Sequence, residues 1–141
     1  MSWIHNGKKV ETIEDMLEGA FGFIYEVLHI PSGKKYIGKK QLLSNRTLPP
    51  LKGQKRKRKI TKESDWINYY GSQAEIKQLV KESESPEEFH RVIIQYCMTK
   101  KQLTYYELKH QFVRGVLEDS DYLNSNISGT FYKRDLENPK K

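Results

Sequence analysis

Cysteine is almost absent from this chain: Cys97 stands alone among 141 residues. A single thiol excludes an internal disulfide and any cysteine-cluster metal site. Long apolar runs are missing as well. No stretch approaches the roughly 18 residues of a membrane-spanning helix, and no signal-peptide pattern is visible. These absences predict a soluble, cytoplasmic protein. No basic amphipathic helix with a large apolar face occurs, which argues against a membrane-surface protein. Acidic residues are locally missing too. Residues 52–62 carry Lys52, Lys55, Arg56, Lys57, Arg58, Lys59 and Lys62 and not one carboxylate.

Against these absences stands a net charge of +7, which favours a polyanionic partner, nucleic acid before anionic membrane. Hydrophobic residues make up 36% and aromatics 11%, so the chain folds and keeps a polar surface. Its length suits one domain with a modest core. The basic run repels itself and lacks apolar residues, so it reads as a mobile loop, and counterion release would reward it on DNA.

Residues 22–38 form the most informative stretch. A run rich in aromatic and β-branched residues, Phe23 to Ile30, meets Pro-Ser-Gly, and a second run covers Lys35 to Ile37. This pattern predicts a β-hairpin. Its arms carry Tyr25 and Tyr36, which an antiparallel ladder would bring together beside Lys39 and Lys40. Upstream, Asn6-Gly7 marks a turn, and Thr12 caps a short helix over 13–18 with Asp15 at the capping-box spacing. After Gly38 the chain continues as a helical turn or an extended exit. Ser64 or Asp65 caps a short helix bearing Trp66, and Ser72 caps another over about 73–82. Phe89 to Tyr96 reads as a strand buried on both faces. Thr99 opens the longest helix, about 100–118. Its expected apolar arc holds Tyr105, Tyr106, Leu108, Phe112, Val113, Val116 and Leu117, with Glu107, His110, Gln111 and Arg114 on the polar side. A turn-rich return over 119–130 and a basic, fraying tail follow. The order of elements suggests a small α/β (α+β) domain with a three-stranded antiparallel or mixed sheet flanked by helices.

Phe23-Ile24-Tyr25 and Tyr36-Ile37-Gly38, with ten residues between the tyrosines, resemble the signature of the GIY-YIG nuclease superfamily. Arg46 lies eight residues after Gly38, the spacing of that family's catalytic arginine. Glu107 lies in the helix after the third strand, where the family places its metal-binding glutamate, and Tyr122-Leu123-Asn124 resembles its closing asparagine motif. Residues 64–72 look like the phage-encoded group that includes the Seg-type homing endonucleases. The resemblance covers about residues 20–128 of a single domain, 1–141, with a basic loop at about 47–63. Two positions depart from the pattern. Phe23 replaces the first glycine, with Gly22 one place early, and Pro50 stands where some relatives carry a histidine.

The resemblance implies a metal-dependent DNA endonuclease. Tyr25, Tyr36, Arg46, Lys39, Glu107 and Asn124 would be catalytic, and Glu107 would hold one Mg²⁺ or Mn²⁺ with waters. Asn126 competes with Asn124 for the asparagine role, and His110, one turn from Glu107, is a possible added ligand. Gly38, Lys40, Lys55, Arg56, Lys57, Arg58 and Lys59 would contact double-stranded DNA. A nucleic-acid-binding protein that kept the fold and lost catalysis is the alternative.

Overall fold

A computed structural model describes residues 2–136, without the side chains of residues 45–48 and 58–60. The chain opens with two short strands, β1 (Trp3–His5) and β2 (Lys8–Val10). Asn6 and Gly7 between them both take positive φ, 50° and 79°. That is the two-residue turn whose twist suits a tight hairpin. One helical turn, Ile13–Asp15, follows rather than a helix to residue 18. Asp15 Oδ2 accepts from the Thr12 backbone N–H at 3.1 Å and that of Glu11 at 2.9 Å, which holds its carboxyl below the usual range.

The predicted hairpin forms, with longer arms: β3 (Gly22–His29) and β4 (Lys34–Gln41). Beyond Gln41 the extended alternative holds. β5 (Leu43–Leu48) pairs antiparallel with β6 (Arg58–Glu63), so part of the expected mobile basic loop is a ladder. Helix α1 (Ala74–Glu82) is capped by Gln73, whose Oε1 accepts from Ile76 N at 3.0 Å, and not by Ser72. Then come β7 (Phe89–Cys97) and α2 (Lys100–Val113), the latter capped by Thr99 as expected. The helix stops five residues before position 118, with Gly115 just beyond it at φ 59°. A small hairpin of β8 (Asn126–Ile127) and β9 (Phe131–Tyr132) leads into the helical turn α3 (Lys133–Leu136). The expected fraying from Phe131 is therefore not seen up to residue 136; its remainder, 137–141, lies outside the described residues.

The main sheet runs β2-β1-β7-β3-β4. Its β7-β3-β4 half is the expected three-stranded sheet. The N-terminal hairpin enlarges it to five strands, with β1 parallel to β7 through Ile4 opposite Val92. One face carries Trp3, Phe23, Tyr25, Val27, Trp66 and Ile76; the other carries Ile24, Ile37, Leu103, Val116 and Leu117. Phe23, where the family has glycine, is buried 4.9 Å from the Trp3 ring. Gly22 supplies the small residue instead: a Cβ there would stand 2.5 Å from the Lys40 carbonyl oxygen.

Helix α2 and its exit are rotated only in part from the expected orientation: Tyr106, Leu108, Val116 and Leu117 of the arc pack in the core. Tyr105, Phe112 and Val113 are 63, 56 and 74% exposed. Leu103 and Gln111 are buried, and Tyr106, Glu107, His110 and Arg114 are half-buried on the same side. Part of the polar sector joins Leu103, Tyr106 and Leu108 against the sheet, because the sheet offers it partners. His110 bonds Gln95 Oε1 at 2.8 Å and Arg114 Nη1 at 2.7 Å, while Gln111 donates to the Ile37 carbonyl at 3.3 Å.

Candidate active site

Register brings the two signature tyrosines together. Tyr25 pairs with Gly38 and Val27 with Tyr36, so Tyr36 is diagonal to Tyr25 on one sheet face, with ring centroids 6.2 Å apart. Gly38 is buried beneath them. A Cβ on it would lie 2.5 Å from Tyr25 Oη and 3.1 Å from Tyr36 Cε2. The glycine of the second motif is thus the space that the two phenol rings fill.

The two tyrosines differ in environment. Tyr25 is 1% exposed, packed edge-on against Tyr69 at 5.8 Å and hydrogen-bonded to it. Burial, with Tyr69, Tyr36 and Glu107 adding to it, pushes the Tyr25 phenol well above its ordinary value. Tyr36 lines an open cleft of about 320 Å³ together with Ser72, Glu107, Gln111, Asn124 and Asn126. Burial also raises the Tyr36 phenol, opposed by a hydrogen bond from Ser72. Both tyrosines therefore keep their protons at neutral pH in the protein alone.

The cleft is built along the outer edge of β4, the last strand of the sheet. An edge strand presents unpaired backbone groups that must find partners. Lys35 N–H donates to the Asp121 carbonyl and its own carbonyl accepts from Leu123 N–H, both at 2.7 Å. Ile37 N–H donates to Asn124 Oδ1 at 3.1 Å, and Asn124 Nδ2 donates back to the Ile37 carbonyl at 2.8 Å. Next along the edge the Glu107 carboxylate stands beside Lys39, whose N–H favours its charged form. Two alternate residues of β4, Lys35 and Ile37, are thus capped by the 121–123 backbone and by Asn124, with Glu107 beside the third, Lys39.

Glu107 reaches this edge from the third turn of α2. Its carboxylate lies 3.9 Å from Lys39 Nζ, which also donates to Thr104 Oγ1 at 3.1 Å. Burial raises the carboxyl above its usual range, and Lys39 pulls it back. A partly desolvated carboxylate on a polar cleft is a fitting ligand for a hard cation that keeps most of its waters. Among the described residues no group of three His, Cys, Asp or Glu side chains gathers anywhere. A divalent ion would therefore rest on Glu107 with oxygen from water and substrate.

The remaining sequence candidates fall elsewhere. Asn126 is at the cleft rim, bonded to Ser125 Oγ and to Gly129 N–H. His110 has both ring nitrogens engaged, by Gln95 and Arg114. Lys40 is pinned: its Nζ is 2.6 Å from Asp65 Oδ1 and 4.0 Å above the Tyr69 ring. Lys55, Arg56 and Lys57 are exposed in the segment between β5 and β6. Arg46 sits on β5 with its backbone opposite Ile60, and Arg58 and Lys59 are on β6; these three side chains lie outside the described residues. Sequence reasoning missed Ser72, Gln111 and Tyr69. Gln111 is four residues from Glu107 and so shares its helical face, the one signal that pointed to it. Ser72 reads only as a helix cap.

No curated protein and no solved structure matches the chain. Residues 3–127 match the family described as "Putative endonuclease segE, GIY-YIG domain". The match spans most of the chain, and with it the hairpin, the cleft, Glu107 and Asn124. The chain belongs to the GIY-YIG nucleases, in their Seg-type endonuclease group, and is a phosphodiester hydrolase.

Proposed function

We propose that this nuclease cuts double-stranded DNA with Mg²⁺ or Mn²⁺, that it is phage-encoded and of the homing type, and that it acts in the host cytoplasm as a single domain over 1–141. The observation that carries this reading is the placement of the Glu107 carboxylate and the Tyr36 hydroxyl in one polar cleft along β4. Hydrolysis joins a water oxygen to phosphorus and breaks one ester P–O bond; the water's proton leaves, and the departing oxygen gains one. Glu107 would hold a divalent ion, which would supply positive charge to the phosphate oxygens and acidify the attacking water. Tyr36, protonated and accepting from Ser72, has its own O–H to orient a water or a phosphate oxygen. Lys39 supplies a cation beside Glu107. Asn124 keeps the strand under Tyr36 straight through its paired bonds to Ile37. Tyr25 supports Tyr36 from below rather than meeting water itself. We assign Arg46 the phosphate contact that its family spacing implies.

Nicking of supercoiled plasmid tests this. Wild type should nick with Mg²⁺ or Mn²⁺ and not with chelator; Glu107→Ala should lose at least about 100-fold in rate while binding duplex DNA normally. Retained cleavage by Glu107→Ala would refute the role of Glu107. A second reading, a nucleic-acid-binding protein with weakened catalysis, draws on one observation: the Tyr25 phenol is sealed from the cleft. Binding without cleavage in either metal would favour it.

A further inference from the structure

The excess charge of the protein is confined to one appendage. Residues 43–62 contain eight Lys and Arg residues and no acid. The chain has 25 basic and 18 acidic residues, so 17 basic residues face 18 acids everywhere else. Without this segment the domain carries a net charge of −1 instead of +7. A charge run scattered for solubility would not leave the rest of the surface neutral.

The segment also has a defined shape. β5 and β6 form a two-stranded sheet of their own, six residue pairs long from Leu43 opposite Glu63 to Leu48 opposite Arg58. Six pairs extend roughly 20 Å. The root is fixed: Leu42 is buried, Ser64 N–H donates to the Leu42 carbonyl at 2.7 Å, and Ser64 Oγ donates to the Gln41 carbonyl at 2.6 Å. Trp66 anchors the exit strand from the core. β4 ends at Gln41 and β5 starts at Leu43, so the root lies directly along the chain from Lys39, which stands beside Glu107. Beyond the ladder, residues 49–57 carry Lys52, Lys55, Arg56 and Lys57, all exposed.

We infer that this ribbon is a DNA-gripping arm that enters the major groove of a duplex beside the scissile phosphate. The major groove is about 12 Å wide and admits a two-stranded β-ribbon as it stands; the minor groove, at about 6 Å, takes one only when the duplex is deformed. A narrow polycation on a neutral body is attracted to the groove that fits it, and its tip cations take the phosphates on either side. An isolated two-stranded ribbon is marginal in water, so a polyanion that neutralises it also orders it. The arm thus supplies duplex recognition within the nuclease domain itself. Its position relative to the cut rests on the proposed DNA endonuclease function; its grip on the duplex does not.

The test uses full-length protein in chelator, with a 20-bp duplex and the corresponding single strand. One variant carries Lys52→Gln, Lys55→Gln, Arg56→Gln and Lys57→Gln together; a second joins Leu48 to Arg58 through Asn-Gly, and far-UV circular dichroism checks its fold. The fourfold variant should bind duplex at least tenfold more weakly near 0.1 M salt. Its slope of log affinity against log salt should shrink by about 3.6, four contacts at about 0.9 each. In dimethyl sulfate footprinting wild type should protect guanine N7, a major-groove atom, and both variants should lose that protection. Unchanged salt slope, protection of adenine N3 alone, or single-strand binding as tight as duplex binding would each overturn the arm. Plasmid nicking separates the two ideas. Cleavage that persists in both variants with wild-type salt dependence sinks the arm and spares the nuclease; absent cleavage with N7 protection intact does the reverse.

Discussion

Gly38→Ala is the sharpest perturbation of the site, because it adds one methyl group where two functional rings meet. Gly38 does not occupy the left-handed region, so the substitution brings no backbone strain, and an alanine in a strand interior should gain roughly 0.5–1 kcal/mol over glycine. Sterics act against it. The new Cβ would lie 2.5 Å from Tyr25 Oη, 2.8 Å from Tyr25 Cζ and 3.1 Å from Tyr36 Cε2. Ordinary contact is about 3.5–4.0 Å, so the Tyr25 ring must retreat by about 1 Å. It has nowhere to go: Trp3 at 5.4 Å, Tyr69 at 5.8 Å and Phe23 at 6.2 Å enclose it. Overpacking of this kind costs about 1–3 kcal/mol, which leaves a net loss near 1–2 kcal/mol. At about 2–4 °C per kcal/mol for a chain of this size, the melting temperature should fall by about 2–8 °C.

Activity should fall further than stability, because the displaced ring is Tyr36 as well as Tyr25, and a shift of about 1 Å at a positioning group costs roughly 100-fold. Differential scanning calorimetry and plasmid nicking below the unfolding range measure the two effects. Tyr25→Phe removes the nearest atom, so the double variant Gly38→Ala with Tyr25→Phe should lose less stability than the two single losses added together. Strict additivity, or a Gly38→Ala protein as stable and active as wild type, would refute the view that Gly38 is the space under the tyrosines.

Three further outcomes follow from the same geometry. Asn124→Ala leaves the buried Ile37 N–H without its acceptor and should cost about 2–3 kcal/mol in urea unfolding, with Asn124→Asp costing less because Oδ1 remains. The Glu107 carboxyl is raised by burial, so the folded state holds its proton more tightly than the unfolded one; that contribution is complete at low pH and is lost as pH climbs from the unfolded value through the folded one. Glu107→Gln should therefore match wild-type melting below about pH 4 and exceed it at neutral pH, while cleavage disappears. On α2, Val113→Ser should change stability by less than about 0.5 kcal/mol, whereas Gln111→Ala should cost about 1–3 kcal/mol; the opposite ranking would mean that the helix faces the sheet with its apolar side.

Local chemistry was legible wherever neighbours in sequence decide the outcome. Asn6-Gly7, Thr12 with Asp15, Pro31 to Gly33 and Thr99 each punctuate the chain through interactions within a few residues, and the β3–β4 hairpin and β7 fall where aromatic and β-branched runs put them. What failed depends on partners far away. β1 joins β7 across 88 positions, and nothing in three residues of strand announces a parallel neighbour. The basic run 58–62 carries little apolar signal because its ladder partner supplies pairing, not burial. The 100–113 helix misled most. Its expected apolar arc includes Tyr105, Phe112 and Val113, yet all three face outward. Periodicity counts hydrophobes; it cannot know that a sheet face offers Gln95 and the Ile37 carbonyl as partners. The site residues Tyr36, Glu107 and Asn124 were named through family spacing, while Ser72 and Gln111 needed the fold.

The rotation of α2 and the construction of the cleft have one cause. β4 is an edge, and its outer backbone groups would otherwise sit against α2 without partners. A helix presenting its apolar side would bury those groups at about 1–3 kcal/mol each. Turning polar side chains inward sets Glu107 beside Lys39 and satisfies the Ile37 carbonyl with Gln111, and Asn124 completes Ile37 from the return loop. The same turn sets a carboxylate, an amide and the Tyr36 phenol around one small volume. Polar groups gathered to finish a sheet edge thus become polar groups gathered for chemistry on a phosphate. Glu107 has both duties: its carboxyl stands beside the Lys39 backbone and is kept partly out of water. A glutamine there preserves the first duty and removes the second, so folding and cleavage separate at this one position.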